Sequence, residues 1–480
     1  MLYRMAMIYG VLCATLHSQE ETPLFERQPY LQNLTSVSVV VVSESMEKCI
    51  ASIEYGLEGE DRTFLREEEA ANDHAFSLDS LIPGKKYAYR VTHEGFRVWP
   101  QMSFQTFPEA KSGGEVTVGV IGDSGYGENG ARDKLAAILD AISPQAMLHT
   151  GDVVYPMGVA GLYQYQFFDV YTDLLSRACV FPTLGNHDCQ ISIEYWLKIF
   201  SPTAHFFGDG TNYSFDMGDG HFVALNSCGE RFSPQLLEWL ETDLSNDEHA
   251  WKVVYFHHPP YSNVGGGSIL TVRETIVPMI QKYHVDLVLS GHSHGYERFY
   301  PLRDGEIRDG FQDPEYVFPE GTVYVVTAGG GATLYGEKDG SEKELAAKRI
   351  AAHHALLLNI SETELEITAI GLEAQPIDRC VIRKGTASKP LLRFLRADAD
   401  QSGVVDISDG IAVIGYLFLG AKHPCLASSD ANSSGSMNIA DAVYILSFLF
   451  LGGDAPGLPF PQCGSVEKAP DAGCVPPDCQ

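Results

Sequence analysis

Positive charge is what this chain has least of. Its 480 residues carry 33 Lys+Arg against 63 Asp+Glu, a formal net charge of -30. That deficit argues against nucleic-acid scaffold binding and against an anionic membrane surface as the main partner. It does not exclude a phosphorylated small-molecule substrate, because bound metal ions supply local positive charge. Long apolar runs are also missing. Past the N-terminus no segment reaches the ~20 apolar residues that span a bilayer, so no transmembrane span is expected. Cysteine is sparse: ten residues are too few for a disulfide framework across the whole chain. Cys49, Cys179, Cys189, Cys228 and Cys380 are dispersed, whereas Cys425, Cys463, Cys474 and Cys479 crowd one end. That clustering suggests local bridges in an oxidising compartment.

What is present points to several domains, since 480 residues are too many for one core. The start, MLYRMAMIYGVLCATLHSQEE, puts Arg4 ahead of a short apolar run and a polar QEE. This is the pattern of a signal peptide over residues 1–20, and it implies a secreted, periplasmic or cell-surface protein. Residues 24–108 hold short β-rich runs at 36–42, 48–56, 75–81, 86–94 and 101–107, separated by turn residues. They predict an N-terminal β-sandwich that resembles a fibronectin type III domain. After the linker KSGG (111–114) the pattern changes to strands alternating with helices over 115–384, an α/β domain. Strands are expected at 115–122, 146–151, 251–256, 285–290, 322–329 and 355–371, and helices at 131–142, 234–244 and 271–283. Ser233 and Pro234 supply the N-cap and first position of the second helix.

The α/β region places polar residues at successive strand ends. Asp123 stands in GDSG, Asp152 in GDVVYP, Asn186 and His187 in GNHD, His257 in HHPPY, and His292 and His294 in GHSHGYER. Each fragment alone is weak, because Asp after Gly is common in turns. Together they occupy five strand ends, and ligands of α/β sheets gather at the carboxyl ends of strands. Gly122, Gly151, Gly185 and Gly291 precede them, as expected where backbone turns beneath a crowded centre. Mixed carboxylate, amide and imidazole donors are too many for one ion and suit two. Such a pair clamps the attacking and leaving oxygens of phosphoryl transfer and lowers the pKa of water from ~15.7 towards ~7. His292 and His294, two apart on an extended segment, share a face and can each reach a different ion.

The ordered set GDSG, GDVVY, GNHD, a strand-end His and GHSH resembles the metallophosphoesterase superfamily. Tyr155 in GDVVY, the HHPPY run, and YER after GHSH narrow the resemblance to purple acid phosphatases, over roughly residues 24–384. The resemblance implies a calcineurin-like catalytic domain at 115–384, a layered β-sandwich flanked by helices. It implies that Asp123, Tyr155 and His294 hold a first ion, usually Fe(3+). Asn186, His257 and His292 would hold a second, Fe(2+), Zn(2+) or Mn(2+), with Asp152 bridging. His187 would approach the leaving group or phosphate, oriented by Asp188, and His258 would be a neighbour at the crevice wall. One departure stands out: many members carry another histidine after the HxP ligand, and YSNVGGGS (261–268) has none. Leaving-group chemistry then rests on His187 or His258. His149, His353 and His354 match no motif and are read as structural. The activity implied is hydrolysis of phosphate monoesters, with a phosphodiesterase on nucleotides or phospholipids as the alternative. A non-catalytic adhesion or scaffold-attached protein is the reading from another class, and the intact donor set argues against it.

Residues 398–421 and 430–453 repeat one another. DADQSGVVDISD fits a calcium loop with Asp398, Asp400, Ser402, the backbone of Val404, Asp406 and Asp409 at positions 1, 3, 5, 7, 9 and 12. The second copy offers Asp430, Asn432, Ser434, the backbone of Ser436, Asn438 and Asp441, with fewer carboxylates. A helix follows each loop but none clearly precedes it, so the segment 397–464 resembles a dockerin type I module. That implies bound Ca(2+) and a cohesin-like partner. A Cys/Pro-rich tail fills 465–480.

Overall fold

The computed structural model describes residues 25–200, 205–229, 232–246, 249–336, 342–384, 394–421, 425–434 and 437–462. The expected signal peptide and the C-terminal tail lie outside the described residues, as does Ser436.

The N-terminal region builds two antiparallel sheets. One has three strands, Arg27–Gln32, Val39–Cys49 and Ala71–Leu78; the other is built on Ala51–Leu57 and Lys86–His93. Alternation decides which side faces in: Val39 and Val41 are buried on one sheet, Ile53, Tyr89 and Val91 on the other. Three strands were not expected from the sequence, Arg27–Gln32, Thr63–Arg66 and Arg97–Val98. The first contains Pro29 and polar residues, and its burial comes from tertiary contacts. Arg27 pairs with Glu44 at 3.2 Å and donates to Gln164 at 3.0 Å, while Tyr30 donates to the Ile199 carbonyl at 3.2 Å. These bonds seat the N-terminal sheets on the α/β region.

The α/β region contains two large mixed sheets. The seven-stranded sheet runs Cys179–Pro182, Ala146–His149, Val116–Ile121, His354–Ile360, Glu364–Gly371, Pro376–Arg383 and Glu315–Val317. Its first three strands are mutually parallel, and His354–Ile360 pairs antiparallel with Val116–Ile121. The eight-stranded sheet has a parallel centre: Gly220–Ala224, Trp251–Phe256, Leu287–Ser290 and Val323–Thr327. These strands read as near-continuous buried runs, LVLS and VYVVT among them, as parallel strands covered on both faces should. Helices Ala131–Ile142, Pro234–Asn246 and Leu270–Lys282 flank them. The sequence places all three within two residues of their observed ends. Ser233 caps the second, its Oγ accepting from Leu236 N at 3.1 Å.

The C-terminal repeat forms two helices, Ile407–Leu419 and Ile439–Leu451, each following a turn of matching hydrogen bonds. Val413, Ala442 and Ile445 pack between them with Ala397, Ala399 and Ala431. Cys425 is disulfide-bonded, whereas Cys49, Cys179, Cys189, Cys228 and Cys380 are free.

Candidate metal centre

Five parallel strands, three from one sheet and two from the other, end at the same cleft. Asp123 follows Val116–Ile121, Asp152 follows Ala146–His149, and Asn186 follows Cys179–Pro182. His257 follows Trp251–Phe256 and His292 follows Leu287–Ser290. Asp123, Asp152 and His292 adopt positive φ (56°, 52° and 67°), so each strand leaves its sheet abruptly at the donor. The glycines explain how the loops fit. A Cβ on Gly185 would lie 2.0 Å from Asp152 N, and one on Gly291 would lie 2.7 Å from Asp123 Oδ2.

The donors sort into two groups. Tyr155 Oη lies 3.1 Å from Asp123 Oδ1 and 3.2 Å from His294 Nε2, with His294 Nε2 and Asp123 Oδ1 3.3 Å apart. On the other side His292 Nδ1 and His257 Nε2 lie 2.9 and 3.1 Å from Asn186 Oδ1, and 3.3 Å from each other. Asp152 Oδ2 stands 3.4 Å from His257 Nε2, and one donor atom each of Asp123, Asp152 and His257 falls within a 4.8 Å cluster. Asp152 is thus between the groups.

Backbone carbonyls select which ring nitrogen faces in. His257 Nδ1 lies 2.9 Å from Thr150 O, and His294 Nδ1 lies 2.7 Å from Thr333 O. With those protons committed, both Nε2 lone pairs point into the cleft, the arrangement that fixes metal-binding imidazoles. Burial alone would raise the Asp152 carboxyl, but His257 beside it and the His187 amide hold it below the usual range. Burial alone would lower His257, yet Asp152 raises it to about 10. A proton on His257 therefore stands where a cation belongs. Burial and the Asp123 and Asp152 charges push the Tyr155 phenol well up. A multivalent cation would reverse that direction, since a bound ion inverts local pKa logic. Carboxylates, an amide oxygen, a phenol and inward lone pairs, buried or half-buried and facing one another, fit two cations.

His187 and His258 flank the donors. His187 Nδ1 lies 2.8 Å from Pro156 O, its ring packs 4.4 Å from that of Tyr155, and its Nε2 lies 4.0 Å from Asp152 Oδ2. Its side chain remains 30 % exposed. His258 Nδ1 lies 2.9 Å from Ser227 Oγ, and its ring is 4.6 Å from that of His292.

Asp188 departs from the sequence expectation that it orients His187. It is fully buried and accepts from Gly185 N at 2.9 Å, Val153 N at 3.1 Å, Val154 N at 3.3 Å and Tyr163 Oη at 3.0 Å. The turn after Asn186 swings the carboxylate under the Asp152 loop, away from the His187 ring, which Pro156 O holds instead. Asp188 is therefore a clamp on two donor loops and does not belong among the catalytic residues.

Tyr335 and Tyr126 went unnoticed in the sequence. Tyr335 stacks on His294 at 4.1 Å, Tyr126 packs edge-on to Tyr155 at 5.7 Å, and both are exposed at the mouth. Only the aromatic character of GYG and TLYGE could have pointed to them. His149, His353 and His354 bond to Ser124, Gly329 O and Thr327 respectively, outside the donor set.

In the C-terminal repeat, donor atoms of Asp398, Asp400 and Asp409 lie within 4.8 Å of one another. Asp398 accepts from Ser402 N and Gly403 N at 2.9 Å, and Asp430 accepts from Ser434 N at 2.8 Å in the second copy. Asp406 and Asn438 instead cap the following helices, in capping boxes with Asp409 and Asp441.

Residues 116–296 match the family model for calcineurin-like phosphoesterases. That match spans the strand ends from Asp123 to His294. Among curated relatives, human acid phosphatase type 7 is 25% identical over 286 residues, covering 54% of this chain and 64% of that protein. Purple acid phosphatase 23 of Arabidopsis thaliana is 24% identical over 304 residues, covering 54% and 62%. The chain therefore spans less than two thirds of either relative's length. The solved purple acid phosphatase PPD1 of yellow lupin shares the fold, with a TM-score of 0.66 at 19% identity, over 75% of this chain and 74% of that one.

Proposed function

We propose that the chain is a secreted, dinuclear metal-dependent phosphatase that hydrolyses phosphate monoesters, acid phosphatase-like in its chemistry. The observation that carries this reading is the split of seven donors, five of them buried, into two groups with Asp152 between them. Asp123, Tyr155 and His294 would hold the first ion, Fe(3+), and Asn186, His257 and His292 a divalent second, with Asp152 contributing to both. When bound, the two ions supply Lewis acidity to the phosphoryl group and make water at the site a nucleophile near neutral pH.

The chain's own groups do the rest. His187 acts as the imidazolium: its Nδ1–H donates to Pro156 O, and its Nε2–H, 4.0 Å from Asp152 Oδ2 on a partly exposed ring, goes to the leaving-group oxygen. Ser227 Oγ accepts from the His258 amide at 3.0 Å, which leaves its own proton for His258 Nδ1. His258 Nε2–H then faces outward as a donor for a phosphoryl oxygen, taking the place of the histidine missing from 261–268. Burial lowers His258 to about 3, so it stays a neutral donor across the working range. The exposed rings of Tyr126 and Tyr335 flank the substrate's organic part.

The flanking units complete the reading: a fibronectin type III-like domain at 24–108, the catalytic domain at 115–384, and a dockerin-like module at 397–464. In that module Asp398, Asp400 and Asp409 in the first loop, and Asp430 and Asp441 in the second, bind Ca(2+). The helices after the loops offer exposed Ile411, Phe418, Val443 and Phe450 to a cohesin-like partner.

Metal analysis of purified protein, joined to a panel of monoesters and diesters, tests the reading. Two transition ions per chain and faster monoester turnover are expected. Diester preference would shift it to a phosphodiesterase, and metal-free protein without turnover would leave the adhesion-type alternative. Calcium is checked by melting the full chain in calcium and in chelator; an unchanged transition for the C-terminal module would remove the ion.

A further inference from the structure

Away from the cleft, one cluster of metal-ligating side chains is wholly interior. Cys49 ends the strand Val39–Cys49 and His74 lies on its neighbour Ala71–Leu78, both in the three-stranded sheet. His93 ends Lys86–His93 in the other sheet. Their exposures are 4%, 0% and 1%, and one donor atom of each falls within 4.8 Å of the others. The three residues therefore meet where the two N-terminal sheets face each other.

The separation of Cys49 Sγ and His74 Nε2 is 3.6 Å. Zinc bonds of ~2.3 Å to sulfur and ~2.0–2.1 Å to nitrogen, at a tetrahedral angle, put those two atoms ~3.6 Å apart. A thiol–imidazole hydrogen bond has the same length, so two further observations decide. First, Glu67 Oε2 lies 2.8 Å from His74 Nδ1 and also accepts from Ala51 N at 2.9 Å. It takes the Nδ1 proton and leaves the Nε2 lone pair facing Cys49, the carboxylate–imidazole support that stands behind metal-bound histidines. Second, His93 Nε2 lies 3.0 Å from Ser43 Oγ, while its Nδ1 is buried with no hydrogen-bond partner among the described residues. An orphaned imidazole nitrogen in a core destabilises unless something fills its coordination. Ser45 Oγ, 3.0 Å from His74 Nε2 and 3.6 Å from Cys49 Sγ, stands at a fourth position.

We propose that Cys49, His74 and His93 form a structural site for a zinc-class divalent cation, separate from the dinuclear centre, that ties the two N-terminal sheets together. One thiolate and two imidazoles are the donor set such a borderline-soft ion takes. Binding releases the Cys49 proton to solvent, and no oxidation occurs.

The test uses the full chain, stripped with chelator and titrated with Co(2+), then Zn(2+). The dinuclear donors include no cysteine, so a thiolate-to-cobalt absorption band reports this site alone. The band is expected in the wild type and in the Cys189→Ala control, where a thiol near the cleft is removed. It is expected to vanish in Cys49→Ser and to be displaced by Zn(2+). Glu67→Gln, which keeps the fold's hydrogen bond to Ala51, should weaken Co(2+) binding roughly 10–100-fold. Absence of the band in folded wild type, or its persistence in Cys49→Ser, overturns the proposal. A Glu67→Gln affinity equal to wild type overturns the part given to the charge of that carboxylate in holding the ion.

Discussion

His187 and Asp188 are neighbours in the chain with opposite work. His187 faces the mouth, so His187→Ala should retain both ions and slow hydrolysis most for substrates with poor leaving groups. Equal slowing for acidic and basic leaving groups, in a rate series across substituted phenyl phosphates, would end its role as acid. Asp188 holds the amides of Val153, Val154 and Gly185 and the Tyr163 hydroxyl. Asp188→Ala leaves those buried donors unmet, at about 1–3 kcal/mol each. It should lower the melting temperature and the metal content together without altering leaving-group dependence. Tyr155 carries the spectroscopic signature. Its oxygen lies 3.1 Å from Asp123 Oδ1, and on the proposed reading it would meet a ferric ion there, a phenolate–iron pair that absorbs visible light. Oxidised iron-loaded protein should be coloured, and Tyr155→Phe should bleach it; a colourless wild type with stoichiometric iron would exclude the tyrosinate.

At the scale of elements, the donors are held by how strands end. Gly185 packs against the Asp152 loop so closely that a methyl group has no room. Gly185→Ala should destabilise by about 1–3 kcal/mol or more and displace the shared carboxylate. Metal content measured beside the melting temperature checks this: a fall in stability with both ions retained would show that the loop yields without moving Asp152. Asp123, Asp152, Asn186 and His292 were legible in the sequence because each follows an apolar run and a glycine, signals that lie within a few residues of each other. What Asp188 binds was not legible, since its partners come from the loop after a different strand and are backbone amides without a side-chain signature. The strand Arg27–Gln32 escaped for a related reason: its pattern is polar, and Arg27 is buried only because Glu44 and Gln164 meet it in the folded chain. Tyr335 reaches His294 from across the cleft, a juxtaposition that no local pattern encodes.

At the scale of the whole molecule, buried histidines set how the fold meets acid. His354 is buried between Thr327 and the Ala352 carbonyl, and burial lowers it to about 4 from an unfolded value near 6.5. Between those values the unfolded chain binds more protons, so the stability is whole above about pH 6.5 and is lost as pH falls towards 4. The loss from this residue is at most roughly 3 kcal/mol, from 1.36 kcal/mol per pKa unit. Melting curves from pH 7 to pH 4 should show that decline, and His354→Gln should flatten it; an unchanged slope would assign the acid sensitivity elsewhere. The same residue opens the strand His354–Ile360, which lies between Val116–Ile121 and Glu364–Gly371. That placement bears on biosynthesis. Every metal donor, from Asp123 to His294, leaves the ribosome before this strand does. Until it arrives, the strand carrying the first donor has one bare edge, and the sheet that supplies three of the five donor-bearing ends cannot close. A nascent chain stalled ahead of residue 354 would own all seven candidate donors and still lack the strand that borders the first of them in its sheet.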